Sequence, residues 1–497
     1  MNATRPAAVI ILAAGEGTRM KSSTPKVLHP IGGLPLVGHA IRAARVTAAD
    51  HVAVVVRHER DRVVAYCQGF DQAVTIADQD EVKGTGRAVE CGLDSLPADL
   101  QGTVLVTSGD VPLIEGQTLT DLAAAHTATG AAVTVVTAEV ADPTGYGRII
   151  RDADGVAAIR EHKDATDDER KIREINSGIW AFDAAVLREA LTKVGTDNAQ
   201  GEKYLTDVLS LAKQAGHRVG AHRIDDMWQT EGVNDRVQLA NLGRILNART
   251  CERHMRAGVT IVDPATTWID VDVTIGQDAV IRPGTQLLGA TSIGGGAVIG
   301  PEVTLTDTEV GERAEVKRAE ANLAVIGAEA TVGPYSYLRP GTILGRKGKI
   351  GGFVETKNAD IGEGAKVPHL TYAGDVTIGE GANIGAGTIF ANYDGVAKHH
   401  TTIGKHSFIG SDTVIVAPVD VADGAYVAAG STLIKDVEPG EIAVARGTQR
   451  NVDGWVARAR AGTKTDAAAR AAREAGTRHT GHGDDRADND NAEEFRA

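Results

Sequence analysis

Cysteine, aromatic residues, a basic excess and long apolar runs are scarce or missing in this 497-residue chain, and each shortage excludes something. The three cysteines (Cys67, Cys91, Cys251) lie far apart and in no CxxC arrangement, so neither a disulfide framework nor a structural zinc site is expected, and a reducing compartment is. Lys plus Arg total 52 against 66 Asp plus Glu, a net charge of −14. A nucleic-acid surface would want a basic face, so no nucleic-acid partner is expected. No apolar run approaches the ~18–20 residues of a membrane span, and the N-terminus lacks a signal-peptide layout. The expectation is a soluble cytoplasmic protein without a membrane partner. Aromatics are only 4%, whereas glycine is 58 of 497, about 12% against the usual ~7%. A chain short of large anchors and rich in glycine builds part of its core from repeated small and branched residues, a sign of repeat architecture.

At ~100–200 residues per domain, the length suffices for two or three domains. Ala8–Leu12, His51–Val56, Thr103–Val106 and Ala132–Val136 are short, apolar and rich in β-branched residues, as strands buried on both faces should be. Segments such as Leu36–Ala48 and Leu119–Thr129 between them have helical spacing. This alternation predicts an α/β domain over residues 1–236, with a parallel sheet covered by helices on both faces. Residues 237–257 predict a linker helix, with Leu239, Leu242, Leu246 and Met255 on one side. The stretch 461–497 has almost no large apolar residue and is expected to be a disordered tail, unable to bury enough surface to offset ordering entropy.

From residue 258 to 460 the period becomes six. Ile275, Ile281, Leu287, Ile293, Ile299 and Leu305 are each six apart, and so are Ile403, Ile409, Ile415, Val421, Val427 and Leu433, with shorter in-phase runs between. Neither a helix nor an alternating strand has this period; it predicts a hexapeptide parallel β-helix, each short strand sending one aliphatic side chain inward. Between Phe390 and Ile403 the phase is lost, and Asn392-Tyr393-Asp394-Gly395 is expected to leave the solenoid as a loop.

LAAGEGTRM (12–20) follows the first strand directly, and Pro25-Lys26 comes soon after. Glycines at a strand end let backbone N–H groups approach a phosphate, in the ligand crevice of an open α/β sheet. The spacing is neither a Rossmann fingerprint nor a Walker A motif. Arg19 and Lys26 add cations suited to a triphosphate. Asp110, ending another apolar strand in Ser108-Gly109-Asp110, suits Mg²⁺, although a strand-end aspartate also serves as a cap or turn residue.

These motifs, with PKVLH (25–29), resemble the sugar-nucleotide pyrophosphorylase (nucleotidyltransferase) superfamily. Gln79 with Gly84-Thr85, then DPTGYGRI (142–149), EHKDAT (161–166), EINSGI (174–179), NAQGEKYLTD (198–207) and EGVN (231–234) narrow it. With the hexapeptide domain, residues 5–457 resemble the bacterial bifunctional N-acetylglucosamine-1-phosphate uridyltransferase/glucosamine-1-phosphate acetyltransferase family. The resemblance implies that Leu12, Ala13, Ala14 and Gly15 line the nucleotide of UTP, with Ser108 and Gly109 in the same site and Gln79, Gly84 and Thr85 reading the uracil. Arg19 and Lys26 stabilise the phosphates as catalytic groups, Asp110 and Asn234 bind Mg²⁺, and Gly147, Glu161, Asn176 and Asn234 hold the sugar. Ser108 stands where relatives often carry Tyr; a backbone role there leaves little consequence.

Hexapeptide repeats alone can be scaffold, but here Arg339, Lys357, His369, Tyr372, Asn383 and Asn392 recur at spacings suited to neighbouring coils. A neutral imidazole at His369 suits proton removal from an amino sugar that attacks a thioester. By the same resemblance, His369 is the general base for acetyl transfer from acetyl-CoA to glucosamine-1-phosphate. Arg339, Lys357, Tyr372 and Asn383 hold the sugar phosphate, helped by Lys398. Lys398 also belongs to the acetyl-CoA site with Ala386, Asn392, Tyr393, Ser411, Ala429 and Arg446, the Ala386 N–H facing the oxyanion. The resemblance further implies a left-handed β-helix, a Rossmann-like nucleotidyltransferase domain and a homotrimer. Two alternatives are a monofunctional nucleotidyltransferase with a scaffold or regulatory β-helix, and a binding protein on a decayed enzyme fold. The set His369, Arg339, Lys357 and Asn383 argues against the first, and intact Arg19, Lys26, Asp110 and Asn234 against the second.

Overall fold

In β1 (Ala8–Leu12) alternate side chains feed two cores, Ala8 and Ile10 on one face and Val9 and Ile11 on the other, which is why the run is apolar throughout. The computed structural model describes residues 5–152, 155–198 and 201–476. It forms two units: Met1–Glu252 with Ile269–Val271, and Arg253–Trp268 with Asp272–Ala497.

In the first unit β1 is followed by a small ribbon, β2 (Pro30–Ile31) and β3 (Leu34–Pro35). Then come α1 (Leu36–Val46), β4 (His51–Val56), α2 (Arg60–Phe70), β5 (Thr75–Asp78), α3 (Thr85–Asp94), β6 (Thr103–Ser108) and α4 (Gly116–Thr129). After β7 (Val133–Glu139) a hairpin, β8 (Arg148–Asp152) and β9 (Gly155–Arg160), leads to β10 (Glu174–Asp183). The unit continues through α5 (Ala184–Lys193), α6 (Asp207–Gln214), β11 (Val219–Arg223) and α7 (Arg236–Arg256), whose last turn belongs to the second unit. The main sheet runs β11-β7-β10-β6-β1-β4-β5.

The sheet is not wholly parallel, as strand–helix alternation had suggested. β6, β1, β4 and β5 are parallel neighbours, but β10 runs antiparallel between β6 and β7, since a hairpin rather than a helical crossover delivers it. In α7, Leu242 is buried and Leu239 and Leu246 pack with it against Met20, Ile31 and Leu36. Met255, expected on the same side, is exposed.

The second unit is a coil of short parallel strands in two long ladders of 11 and 17 strands. Val280 pairs with Val298, a step of 298 − 280 = 18, or three hexapeptides per coil. Ile350 pairs with Val367, so some coils take 17. The inward ladder Ile281, Leu287, Ile293, Ile299 and Leu305 is buried, as are Ile403 through Leu433 at their six-residue spacing; each such side chain contributes roughly 1.5–3 kcal/mol. Gly379 shows why glycine follows the inward residue. A Cβ there would stand 2.6 Å from the Lys405 nitrogen of the next coil, too close for any side chain.

Ile378 pairs with Ile403, a step of 25, so one coil carries 25 − 18 = 7 extra residues. They form the loop around Asn392–His399, pinned by a Tyr393–Lys398 bridge and by Asp394, which accepts from the Val396 and Ala397 N–H groups. Beyond the coil, α8 (Trp455–Ala459) and α9 (Lys464–Glu474) follow. The helix at 464–474 departs from the disordered tail expected there. Five alanines raise helix propensity, the Thr463 hydroxyl caps Asp466 N–H, and Asp466 pairs with Arg470 one turn on. Poverty in large apolar residues argued against a core, not against a helix. Residues 477–497 of that tail lie outside the described residues.

Candidate active sites

The carboxyl ends of β6, β1, β4 and β5 open along one edge of the sheet, where a crevice for ligands is expected. Main-chain bonds hold these ends in line: Ala13 N–H donates to Val55 C=O at 2.8 Å, Gly109 N–H to Leu12 C=O at 2.8 Å, and Gln79 N–H to Val56 C=O at 2.9 Å. A cavity of about 460 Å³ opens there. Leu12, Ala13, Ala14, Gly15, Lys26, Gln79, Gly84, Thr85, Ser108 and Asp110 line it, while Gly109 lies under the loop through its bond to Leu12. Gly17 takes φ +62°, and a Cβ there would stand 2.5 Å from Lys26 Cβ, so glycine lets the loop close on the lysine stem.

Three charges and one amide meet at this edge. The Lys26 ammonium pairs with Asp110, both side chains being mostly buried, and the Arg19 guanidinium donates to Asn234 Oδ1 at 2.8 Å. Val233 N–H donates to Asp110 C=O at 2.8 Å, tying the EGVN loop to the end of β6. Asp110 and Asn234 thus each present an oxygen that already holds a cation. Among the described residues no three His, Cys, Asp or Glu side chains gather as a metal cage. Two oxygens of this kind fit a hard divalent cation that completes its shell with water and phosphate.

Gly147, Glu161 and Asn176 form a further group. Asn176 N–H donates to Gly147 C=O at 2.8 Å, and a Cβ on Gly147 would meet Glu161 and Asn176. Burial raises the Glu161 carboxyl above the usual range, partly opposed by a bond from Thr206. The cavity also takes Arg57 and Lys83, which lie outside every motif above, and Glu202, which the motif 198–207 contains without singling it out. Arg57 directly follows the apolar β4 run, so the strand-end logic that singled out Asp110 would have flagged it.

In the β-helix, His369 ends the strand Lys366–His369. Gly387 N–H donates to His369 C=O at 3.2 Å, Asp412 N–H to Ala386 C=O at 2.7 Å, Gly430 N–H to Ser411 C=O at 2.8 Å, and the Arg446 guanidinium to Ala429 C=O at 2.7 Å. His369, Ala386, Ser411, Ala429 and Arg446 therefore stand in one row on successive coils. Asn383 pairs in register with Lys366, on the strand of His369.

Just past His369 the chain turns onto the other ladder, where a cationic group gathers. Arg339 pairs with Glu355 at 2.9 Å, and the Lys357 and Lys398 ammoniums lie side by side. Contact with Lys398, and behind it Arg339, pulls Lys357 below the usual lysine range, against the opposing pull of Asp375. Asn392 is buried and its amide donates to the Tyr372 hydroxyl at 3.4 Å; Tyr393 is exposed, its hydroxyl donating to Gly395 C=O at 2.7 Å. Asp375, Asn358 and Glu355 complete this polar group; no motif pointed to Asp375, because it lies within a strand like any other outward polar residue.

A triphosphate-sized cavity at the strand ends and a polar group beside His369 on a hexapeptide coil, in one chain, are the build of a nucleotidyltransferase fused to an acyltransferase. Residues 9–176 match the MobA-like NTP transferase domain family, and residues 400–435 match the hexapeptide repeat of succinyl-transferase. The chain is 59% identical over 472 residues to the bifunctional protein GlmU of Kineococcus radiotolerans, covering 95% of this chain and 96% of the relative. It is 60% identical over 474 residues to that of Streptomyces avermitilis, covering 95% and 98%. The chain belongs to the bifunctional GlmU family. Membership gives it the family's uridyltransferase and acetyltransferase activities, the fold of a left-handed parallel β-helix for the second unit, and use of a divalent metal and acetyl-CoA. Among the described residues no helix is long and apolar enough to cross a membrane.

Proposed function

We propose that the β-helix acetylates glucosamine-1-phosphate first and that the N-terminal unit then joins the product to UMP, giving UDP-N-acetylglucosamine for cell-wall precursors. The His369 imidazole takes a proton from the sugar amine as its nitrogen attacks the thioester carbonyl, the carbon–sulfur bond breaks, and the imidazolium returns the proton to the sulfur so that coenzyme A leaves as the thiol. Arg339, Lys357, Tyr372, Asn383 and Lys398 hold the sugar phosphate. The Ala386 N–H faces the oxyanion, and Asn392, Tyr393, Lys398, Ser411, Ala429 and Arg446 contact acetyl-CoA. The cationic group beside the turn after His369 is the observation that carries this reading, because a scaffold gains nothing from setting the Lys357 and Lys398 ammoniums side by side.

In the other unit the sugar phosphate oxygen attacks the α-phosphorus of UTP and pyrophosphate leaves. Lys26 and Arg19 let go of Asp110 and Asn234 and neutralise the phosphates, while Leu12 to Gly15, Ser108 and Gly109 form the loop against the nucleotide. The Gln79 amide donates to Val82 C=O at 2.9 Å, which turns its oxygen into the acceptor for uracil N–H, beside Gly84 and Thr85. Gly147, Glu161, Asn176 and Asn234 hold the sugar. Mg²⁺ held by Asp110 and Asn234 would supply charge neutralisation at the phosphates. Positioning and charge suffice, so no covalent nucleophile is invoked.

A paired assay on the intact protein tests the reading. Glucosamine-1-phosphate with acetyl-CoA should release thiol, and N-acetylglucosamine-1-phosphate with UTP and Mg²⁺ should release pyrophosphate. Pyrophosphate without thiol would reduce the β-helix to a scaffold.

We also assign the cytoplasm, where UTP and acetyl-CoA are made, and a homotrimer. Supporting the trimer, Tyr335, Phe353 and Leu370 stand on successive coils beside the corner row, 55%, 63% and 61% exposed, with the first two rings 5.2 Å apart. Such a column of large apolar side chains favours cover by another copy. Sedimentation of the intact protein should give three times the 51.8 kDa chain mass; a single-chain mass removes the trimer.

A further inference from the structure

The carboxylate of Asp375 joins two halves of the acetyl-transfer site. Its Oδ1 accepts from the Asn358 amide at 2.9 Å, and its Oδ2 accepts from the Asn392 amide. Asn392 opens the loop that leaves the coil and reaches Tyr372. The Lys398 and Lys357 ammoniums attract the same carboxylate. Burial pushes the Asp375 carboxyl up, but the bonds from Asn358 and Asn392 and the two lysines outweigh it and hold it below the usual range. It is ionised at neutral pH.

One charge has two effects here. A carboxylate accepts on both oxygens, so it satisfies two amide donors at once, and charge strengthens each bond. The same charge offsets the repulsion between two adjacent ammoniums while weakening their pull on an incoming phosphate. We propose that Asp375 is a positioning residue that fixes Asn392 for acetyl-CoA and tempers the Lys357–Lys398 pair that faces the sugar phosphate. This rests on the acetyl-transfer reading above.

Asp375→Asn removes the charge and one acceptor oxygen at nearly the same shape. Asparagine tolerates the left-handed backbone of this position, φ +50°, yet its single carbonyl oxygen serves only one of the two amide donors. In the intact protein, thiol release measured against each substrate should show the KM for acetyl-CoA rising about tenfold. The KM for glucosamine-1-phosphate should fall about twofold, because the phosphate meets a more positive site. Asn392→Ala, which keeps the Asp375 charge, should raise the acetyl-CoA KM alike without lowering the sugar KM, and the double variant should add nothing to the acetyl-CoA effect. Opposite movement of the two KM values separates positioning from loss of structure, which raises both. A rise in both, no change in either, or additivity of the two substitutions overturns the proposal. If the unsubstituted protein releases no thiol, the acetyl-transfer reading itself fails and takes this assignment with it.

Discussion

Replacing His369 by alanine is expected to lower acetyl transfer by about 10²–10⁴-fold, the range a positioned general base contributes, while pyrophosphate release stays within about twofold. The substitution should leave the coil intact. The bonds that hold this corner, from Gly387 N–H and from the Thr371 hydroxyl at 2.8 Å, end on the His369 carbonyl and not on its ring. The side chain is exposed at the end of its strand, so no core contact is lost. Both activities would be measured on one preparation, with thermal melting as the check of fold. Thiol release above a tenth of the unsubstituted rate would remove His369 as the base. Loss of both activities in a folded variant would break the division of labour between the two units.

The converse is expected for Asp110→Ala. Uridylyl transfer should fall by about 10³-fold, corresponding to the several kcal/mol of phosphate charge stabilisation a bound metal supplies. Acetyl transfer should persist. Two losses coincide in this variant: an oxygen for the cation, and the carboxylate that holds Lys26 at the cavity before substrate arrives. The loop itself should survive, because Val233 bonds to the Asp110 main-chain carbonyl. Excess Mg²⁺ should not restore the rate. Full rescue by Mg²⁺ would mean that other groups bind the ion, and an unchanged rate would remove Asp110 from the site.

Much of this was legible in the amino-acid order because local patterns encode it. Apolar runs buried on both faces named β1, β4, β6 and most of β7, and the six-residue period named the coil, since each inward position must be aliphatic whatever its neighbours do. Motif residues around the first strand ends were legible for the same reason: the glycines and cations lie within one loop. By contrast, the corner row was not readable as a row. Its members are 386 − 369 = 17, 411 − 386 = 25, 429 − 411 = 18 and 446 − 429 = 17 residues apart, and one loop of seven extra residues hides the regularity.

The sequence by itself therefore determined the two architectures, their order and the chemical types available at each site. Tertiary structure alone decided that β10 reverses direction within the sheet, that Lys83 joins the cavity, and that Asp375 meets Asn392 and two lysines. Periodicity is written into consecutive residues because it reports which side chains must be buried. The meeting of polar groups from distant coils depends on registers that shift by single residues, and no local pattern records a register.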